Sequence, residues 1–138
     1  MTVNVHLVHH TLIDDAWPQI APLLRRSQRR VANSIGMDDL KHDLEARGQQ
    51  LWAVKVEDKL KAVILTTILK HPRRSVLRIT HIAGSDMKVW IEGALATLVE
   101  AAQALGCDAI DAEGRLGWIK HASKCKFKEV SRTYEMEI

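Results

Sequence analysis

The chain has 138 residues, 46% apolar and 27% charged, with a formal net charge of +3 and a sequence pI near 9.0. That length fits one domain, 1–138, with a single buried core, and the composition lies outside the disordered range. No run reaches the roughly 20 apolar residues of a membrane span, and the start, Met1-Thr2-Val3-Asn4-Val5-His6, lacks the basic and apolar regions of a secretory signal, so a cytoplasmic protein without a membrane partner is expected.

The charge is too modest for a dedicated nucleic-acid binder. Basic residues do cluster at Arg25-Arg26 with Arg29-Arg30, over 70–74 and over 120–128, which suits solvent or a compact polyanion. Cys107 and Cys125 have no CxxC spacing and read as core thiols in a reducing compartment. The histidines show no spacing that converges on a metal, so none is expected.

Residues 3–8 alternate apolar and polar side chains, as an opening strand does. Trp17, Ile20, Leu24 and Val31 then recur at helical spacing, with Asp14 and Asp15 near the helix start. Pro18 fits a first turn, and Pro22 predicts a late start or a bend. A second helix starts at Asp38-Asp39 with Met37, Leu40 and Leu44 on one face, and Gly48 is its expected C-cap.

From Gln50 the period becomes two. Residues 51–56 and 60–69 read as strands joined by the turn Glu57-Asp58-Lys59. The run Ala62-Val63-Ile64-Leu65 predicts a central strand covered on both faces. After the turn at Pro72, residues 75–83 form the next strand, completing an antiparallel meander. Residues 86–105 carry a broad apolar stripe through Trp90, Ile91, Leu95 and Leu98, and Gly106 ends that helix. Residues 108–112 make a short strand that returns parallel to 75–83. A brief helix over 115–123 and a closing strand over 127–138 complete the order, with Val130, Tyr134, Met136 and Ile138 facing inward. Trp52 and Trp90 fit core packing, and Trp118 is the candidate surface anchor.

The order β-α-α-β-β-β-α-β-α-β, with Gly48-x-x-Leu51-Trp52, Thr66-Thr67, Gly84-x-x-Met87-x-x-Trp90, Ala102-x-x-x-Gly106-Cys107 and Gly114-Arg115-x-Gly117-Trp118, resembles the GCN5-related N-acetyltransferases (GNATs), and within them small phage and prophage proteins. The resemblance covers nearly the whole chain. It implies an α/β (α+β) fold with a mixed, mostly antiparallel central sheet flanked by helices. It implies acetyl-CoA as acyl donor, bound by Ile82, Ala83, Gly84, Ser85, Asp86, Met87, Lys88 and Arg115, and an amine of a small molecule or a protein as acceptor.

In such enzymes backbone N–H groups after the fourth strand meet the diphosphate, with a helix N-terminus behind them. Gly84 matches the first glycine of that loop, but His81 replaces its usual Gln or Arg and Asp86 its usual Gly or Ala. Ser85 or Asp86 suits the N-cap of the long helix, and an aspartate there serves poorly against a phosphate, a charge that Lys88 offsets in part. Arg115 falls where the family often has a cofactor-contacting asparagine. The tyrosine that usually protonates the departing thiolate is replaced by Ala122, while the single tyrosine, Tyr134, is expected in the core. His81 and Glu113, at the ends of their strands, are the candidate general bases. The alternative reading is a GNAT-fold phage component without catalysis, which binds another phage protein or belongs to the virion.

Overall fold

A period of two over residues 3–8 and 50–84 builds a sheet, and a period near four builds the helices that cover it. The computed structural model describes residues 2–28, 35–113, 127–132 and 134–138. Five strands lie side by side in sequence order: β1 (Val3–Val8), β2 (Gln50–Val56), β3 (Lys59–Lys70), β4 (Ser75–Gly84) and β5 (Ala109–Ala112). β1 through β4 pair antiparallel, and β5 pairs parallel to β4. Between β2 and β3 the two turn residues Glu57 and Asp58 both have positive φ, which matches the strands' own twist. This is the mixed, mostly antiparallel α/β sheet that the sequence predicts.

β3 is central, as its apolar run implies: Ala62 through Thr66 are all fully buried. One face of the sheet packs Trp52, Val54, Ile64, Leu77 and Ile79 against Trp90, Ile91, Leu95 and Leu98 of α3 (Met87–Ala104). The other packs Leu51, Val63 and Leu65 against Ile13, Ile20 and Leu24 of α1 (Ile13–Gln28) and Leu40 and Leu44 of α2 (Met37–Glu45). Each such aliphatic side chain contributes about 1.5–3 kcal/mol by leaving water. Thr66, the buried hydroxyl between these layers, takes the Trp52 indole N–H at 2.9 Å and donates to Gln50 Oε1 at 2.9 Å, so it carries no unmet bond.

The helices correct the sequence reading at both ends. α1 starts at Ile13, after a 3-10 turn over His10–Leu12, and carries both Pro18 and Pro22 in its interior. Neither proline can donate a backbone hydrogen bond; burial of Ile13, Ile20 and Leu24 carries the helix past both. α2 starts as expected, with Gly36 N–H donating to Asp39 Oδ2 at 2.8 Å. Its end turns at Arg47 (φ +65°) instead of Gly48. Arg47 N–H donates to the Leu44 carbonyl and Gly48 N–H to the Asp43 carbonyl, the paired bonds of a Schellman ending. Gly48 is needed for a different reason: a Cβ there would meet the Asp43 side chain at 1.8 Å.

The closing strand is the main correction. Residues 127–132 and 134–138 join no ladder, and Val130, Tyr134, Met136 and Ile138 are exposed rather than inward. Alternation makes a segment competent for a sheet, but a strand also needs a partner edge. Here Arg132 pairs locally with Glu129, and Phe127 alone packs against the α3-side core. The helix expected over 115–123, with Trp118 and Ala122, lies outside the described residues, as do Arg115 and Cys125. Cys107 is half-buried and a free thiol. Among the described residues no helix is long and apolar enough to cross a membrane.

Candidate functional site

Two β-bulges shape the candidate site. Val54 faces Ala62 while Lys55 faces Leu60, which leaves Lys61 as an extra residue of β3. Leu65 faces His81 while Thr66 faces Ile79, which leaves Thr80 as an extra residue of β4. The second bulge reverses the side-chain alternation of β4. Leu77 and Ile79 belong to the α3-side core, whereas Ala83 belongs to the α1/α2 side.

β5 follows β4 only from Val76↔Ala109 to Ile79↔Ala112. From Thr80 to Gly84, β4 continues with no strand partner on that side among the described residues. Ile82 and Ala83 lie on this stretch. They are strand residues paired with Ile64 and Val63 on the closed side, so the loop expected from His81 onward shrinks to Ser85-Asp86.

The first bulge serves that loop. The Lys61 carbonyl accepts Ser85 N–H at 3.1 Å, and Lys61 Nζ lies 3.6 Å from Asp86 Oδ2. Gly84 has φ +152°, and a Cβ on it would fall 2.3 Å from the Lys61 carbonyl oxygen, so only glycine permits this approach. The buried Trp90 donates its indole N–H to the Ser85 carbonyl at 2.7 Å, fixing the loop from the helix side.

Asp86 is the N-cap residue of α3, as expected, but it does not cap with its side chain. It adopts the left-handed conformation (φ +58°, ψ +39°), and its carboxylate turns to Lys61. The N–H groups of Met87 and Lys88 have no hydrogen-bond partner among the described residues, while Val89 N–H donates to the Asp86 carbonyl. A helix end with free amides and a nearby ammonium is receptive to an anion. Lys61 is the member of this set that the sequence did not disclose.

The second bulge serves His81. The Gln49 amide nitrogen donates to Asp43 Oδ2 at 3.0 Å, which orients the amide and leaves Oε1 toward Thr80. The Thr80 hydroxyl donates its one proton to that Oε1 at 2.5 Å. Thr80 Oγ1 is 3.1 Å from His81 Nδ1 and can only accept there. Nδ1 of His81 therefore carries the ring proton, and Nε2 keeps its lone pair. Burial pushes the His81 pKa below its ordinary value, which favours the neutral ring.

Glu113, just past β5, is drawn into a different group. Arg78 on β4 donates Nη1–H to Glu113 Oε1 at 2.5 Å, and its Nε–H and Nη2–H to the two oxygens of Asp111. The Asp111 carboxylate, and then Glu113, hold the Arg78 guanidinium charged. No hydrogen bond or ion pair joins Glu113 to His81 among the described residues, so the two expected bases are not a pair. Among the described residues no three His, Cys, Asp or Glu side chains gather as a metal site.

No protein-family profile and no curated protein matches the chain. Solved structures do. A ribosomal-protein-alanine N-acetyltransferase from Brucella melitensis biovar Abortus 2308 superposes with a TM-score of 0.74 at 16% identity, over 99% of this chain and 100% of that one. A predicted acetyltransferase with acetyl-CoA from Clostridium acetobutylicum gives 0.69 at 13%, over 99% and 96%. Glucosamine-6-phosphate N-acetyltransferase from Arabidopsis thaliana gives 0.67 at 14%, over 99% and 100%. With the mostly antiparallel sheet and the parallel β4–α3–β5 unit, these likenesses define the class: the chain has the GNAT fold.

Proposed function

We propose that the chain is an acyl-CoA-dependent N-acyltransferase, with acetyl-CoA as donor and an amine of a small molecule or a protein as acceptor. The observation that carries this reading is the edge of β4 from Thr80 to Gly84, unpaired among the described residues, with the α3 amides that have no partner among them at one end and His81 beside it. The donor's anionic diphosphate suits the Met87 and Lys88 amides and the Lys61 ammonium. The Asp86 carboxylate opposes it, but Lys61 draws that charge aside. When bound, the donor supplies a thioester that an amine can attack.

The protein's own part is positioning and proton transfer. An amine held at this edge arrives mostly as an ammonium ion at neutral pH and must lose a proton before it attacks. His81 Nε2 accepts that proton, while Nδ1–H stays bonded to Thr80. With the donor bound, its thioester would supply the acyl group to that amine, the amide C–N bond replacing the C–S bond and the second amine proton passing to the thiol. Of the two expected bases His81 fits the task better, because the Glu113 carboxylate is engaged by Arg78.

One observation favours a second reading. The exposed Asp86 carboxylate at the helix N-terminus suits a GNAT-fold phage component that binds a protein partner, as part of the virion or apart from it, without catalysis. Calorimetric titration of acetyl-CoA separates the two. Saturable binding with a Kd below about 1 mM supports the enzyme, and heats no larger than dilution at that concentration leave only the second reading.

A further inference from the structure

On the α1/α2 face, a cavity of about 200 Å³ lies where β1 ends, β2 begins and α2 terminates. Its floor is the fully buried Ile13, Leu44 and Leu51, and the exposed Leu7 stands at its edge. An apolar cavity of about 150 Å³ is large enough to take a benzene ring. The polar residues around this one include His9, His10 and Arg47, and no carboxylate among the described residues lines it. The nearest acidic partner of a lining residue is Asp43, already occupied by the Gln49 amide.

These groups leave positive charge and free donors at the mouth. The Arg47 guanidinium makes no hydrogen bond or ion pair among the described residues. His9 Nδ1 accepts the Thr11 N–H at 3.3 Å, so its ring proton is on Nε2. Burial, then the charges of Arg47 and His9, lower the pKa of His10. Arg47 also sits at the left-handed end of α2, where glycine is the usual residue.

We propose that this cavity is a binding site for a small amphiphilic monocarboxylate, its aryl or short alkyl body on Ile13, Leu44 and Leu51 and its carboxylate on Arg47, His9 and His10. Charge complementarity selects the occupant. An anion finds the Arg47 guanidinium and the His9 Nε2–H with no competing carboxylate among the described residues, a cation finds repulsion, and a neutral apolar molecule leaves the guanidinium unused. The site is separate from the donor loop, since α3 and its N-terminus lie on the other face of the sheet, and Gln49 in its lining connects it to Thr80 beside His81.

The probe is 3-phenylpropionate, titrated at pH 7 with methyl and amide NMR as readout, against 3-phenylpropanol and 3-phenylpropylamine. Saturable shifts of the Ile13, Leu44 and Leu51 methyls are expected, with the alcohol and the amine at least about tenfold weaker. The His10 titration should move upward in the complex. Arg47→Gly, which relieves the left-handed turn while removing the charge, should weaken binding about tenfold with no loss of thermal stability, and Arg47→Lys should retain most of it. The proposal is overturned if 3-phenylpropionate does not saturate, if the alcohol binds equally well, or if the shifts centre on Gly84 to Lys88. Acetyl-CoA would report at those loop amides, so failure of one reading leaves the other standing.

Discussion

The Thr80 hydroxyl donates to Gln49 Oε1 at 2.5 Å, tying the bulge of β4 to the chain that leaves α2. Because Asp43 holds the other end of that amide, the bond fixes which nitrogen of His81 carries its proton. Thr80→Val removes the hydroxyl at nearly constant shape and strands a polar amide oxygen, a cost of about 1–3 kcal/mol. Nitrogen-15 NMR of the His81 ring should show Nδ1 protonated in the native chain and a mixture of tautomers in Thr80→Val, with Thr80→Ser restoring the native pattern. A native-like ring in Thr80→Val would show that the network does not set the tautomer.

His81 also sets a pH dependence. Its pKa in the folded chain lies below the ordinary 6.5, so the unfolded chain binds more protons between the two values. Stability then rises with pH through that window: the contribution is complete above about 6.5 and is lost as pH falls toward the folded value. His81→Gln should flatten the slope of unfolding free energy against pH below 6.5. If the chain is an acyltransferase, the acid limb of its kcat/KM profile should follow the same lowered value.

Asp86 and Lys61 form a pair at 3.6 Å, worth little to stability but placed at the N-terminus of α3, where the proposed donor's diphosphate would be bound. Asp86→Gly removes an opposing charge and a left-handed aspartate together. It should tighten acetyl-CoA several-fold and raise stability by up to about 1 kcal/mol. Lys61→Gln should weaken binding by about fivefold and reduce its salt dependence. Equal affinities across the native chain and both variants would remove the loop from any account of donor binding.

Most of the sheet was legible because period and burial agree: β3 reads as central from Ala62 through Leu65, and it is. The long helix was legible from its stripe and from Gly106. Both bulges were hidden, since a single extra residue leaves the composition of a strand unchanged while moving later side chains to the opposite face. Lys61 went unnoticed for that reason, and the partners of His81 with it. The end of α2 was placed one residue late because Gly48 looked like the left-handed residue, when the geometry asks glycine there to clear Asp43. Residues 127–138 alternate well, but alternation says nothing about whether an edge is available.

Two glycines of the same half-molecule should respond in opposite directions to one added methyl. Gly93 lies in α3, where a Cβ would come no closer than 3.9 Å to Val3 Cγ1, an ordinary contact. Gly93→Ala should therefore stabilise the fold by about 0.5–1 kcal/mol through helix propensity. At Gly84 a Cβ would meet Lys61 O at 2.3 Å, Ala62 Cβ at 2.4 Å and Ala62 Cα at 2.5 Å, with φ at +152°. Most of these neighbours are backbone of the central strand, which cannot yield without breaking pairs on both sides. Gly84→Ala should cost about 2–4 kcal/mol, the sum of overpacking and strain. It should also displace Ser85 from the Lys61 carbonyl. Urea midpoints at unchanged m-value measure both effects. A stabilised Gly84→Ala would mean that β4 does not approach β3 as closely at Gly84, and the anion-receptive loop would lose its support.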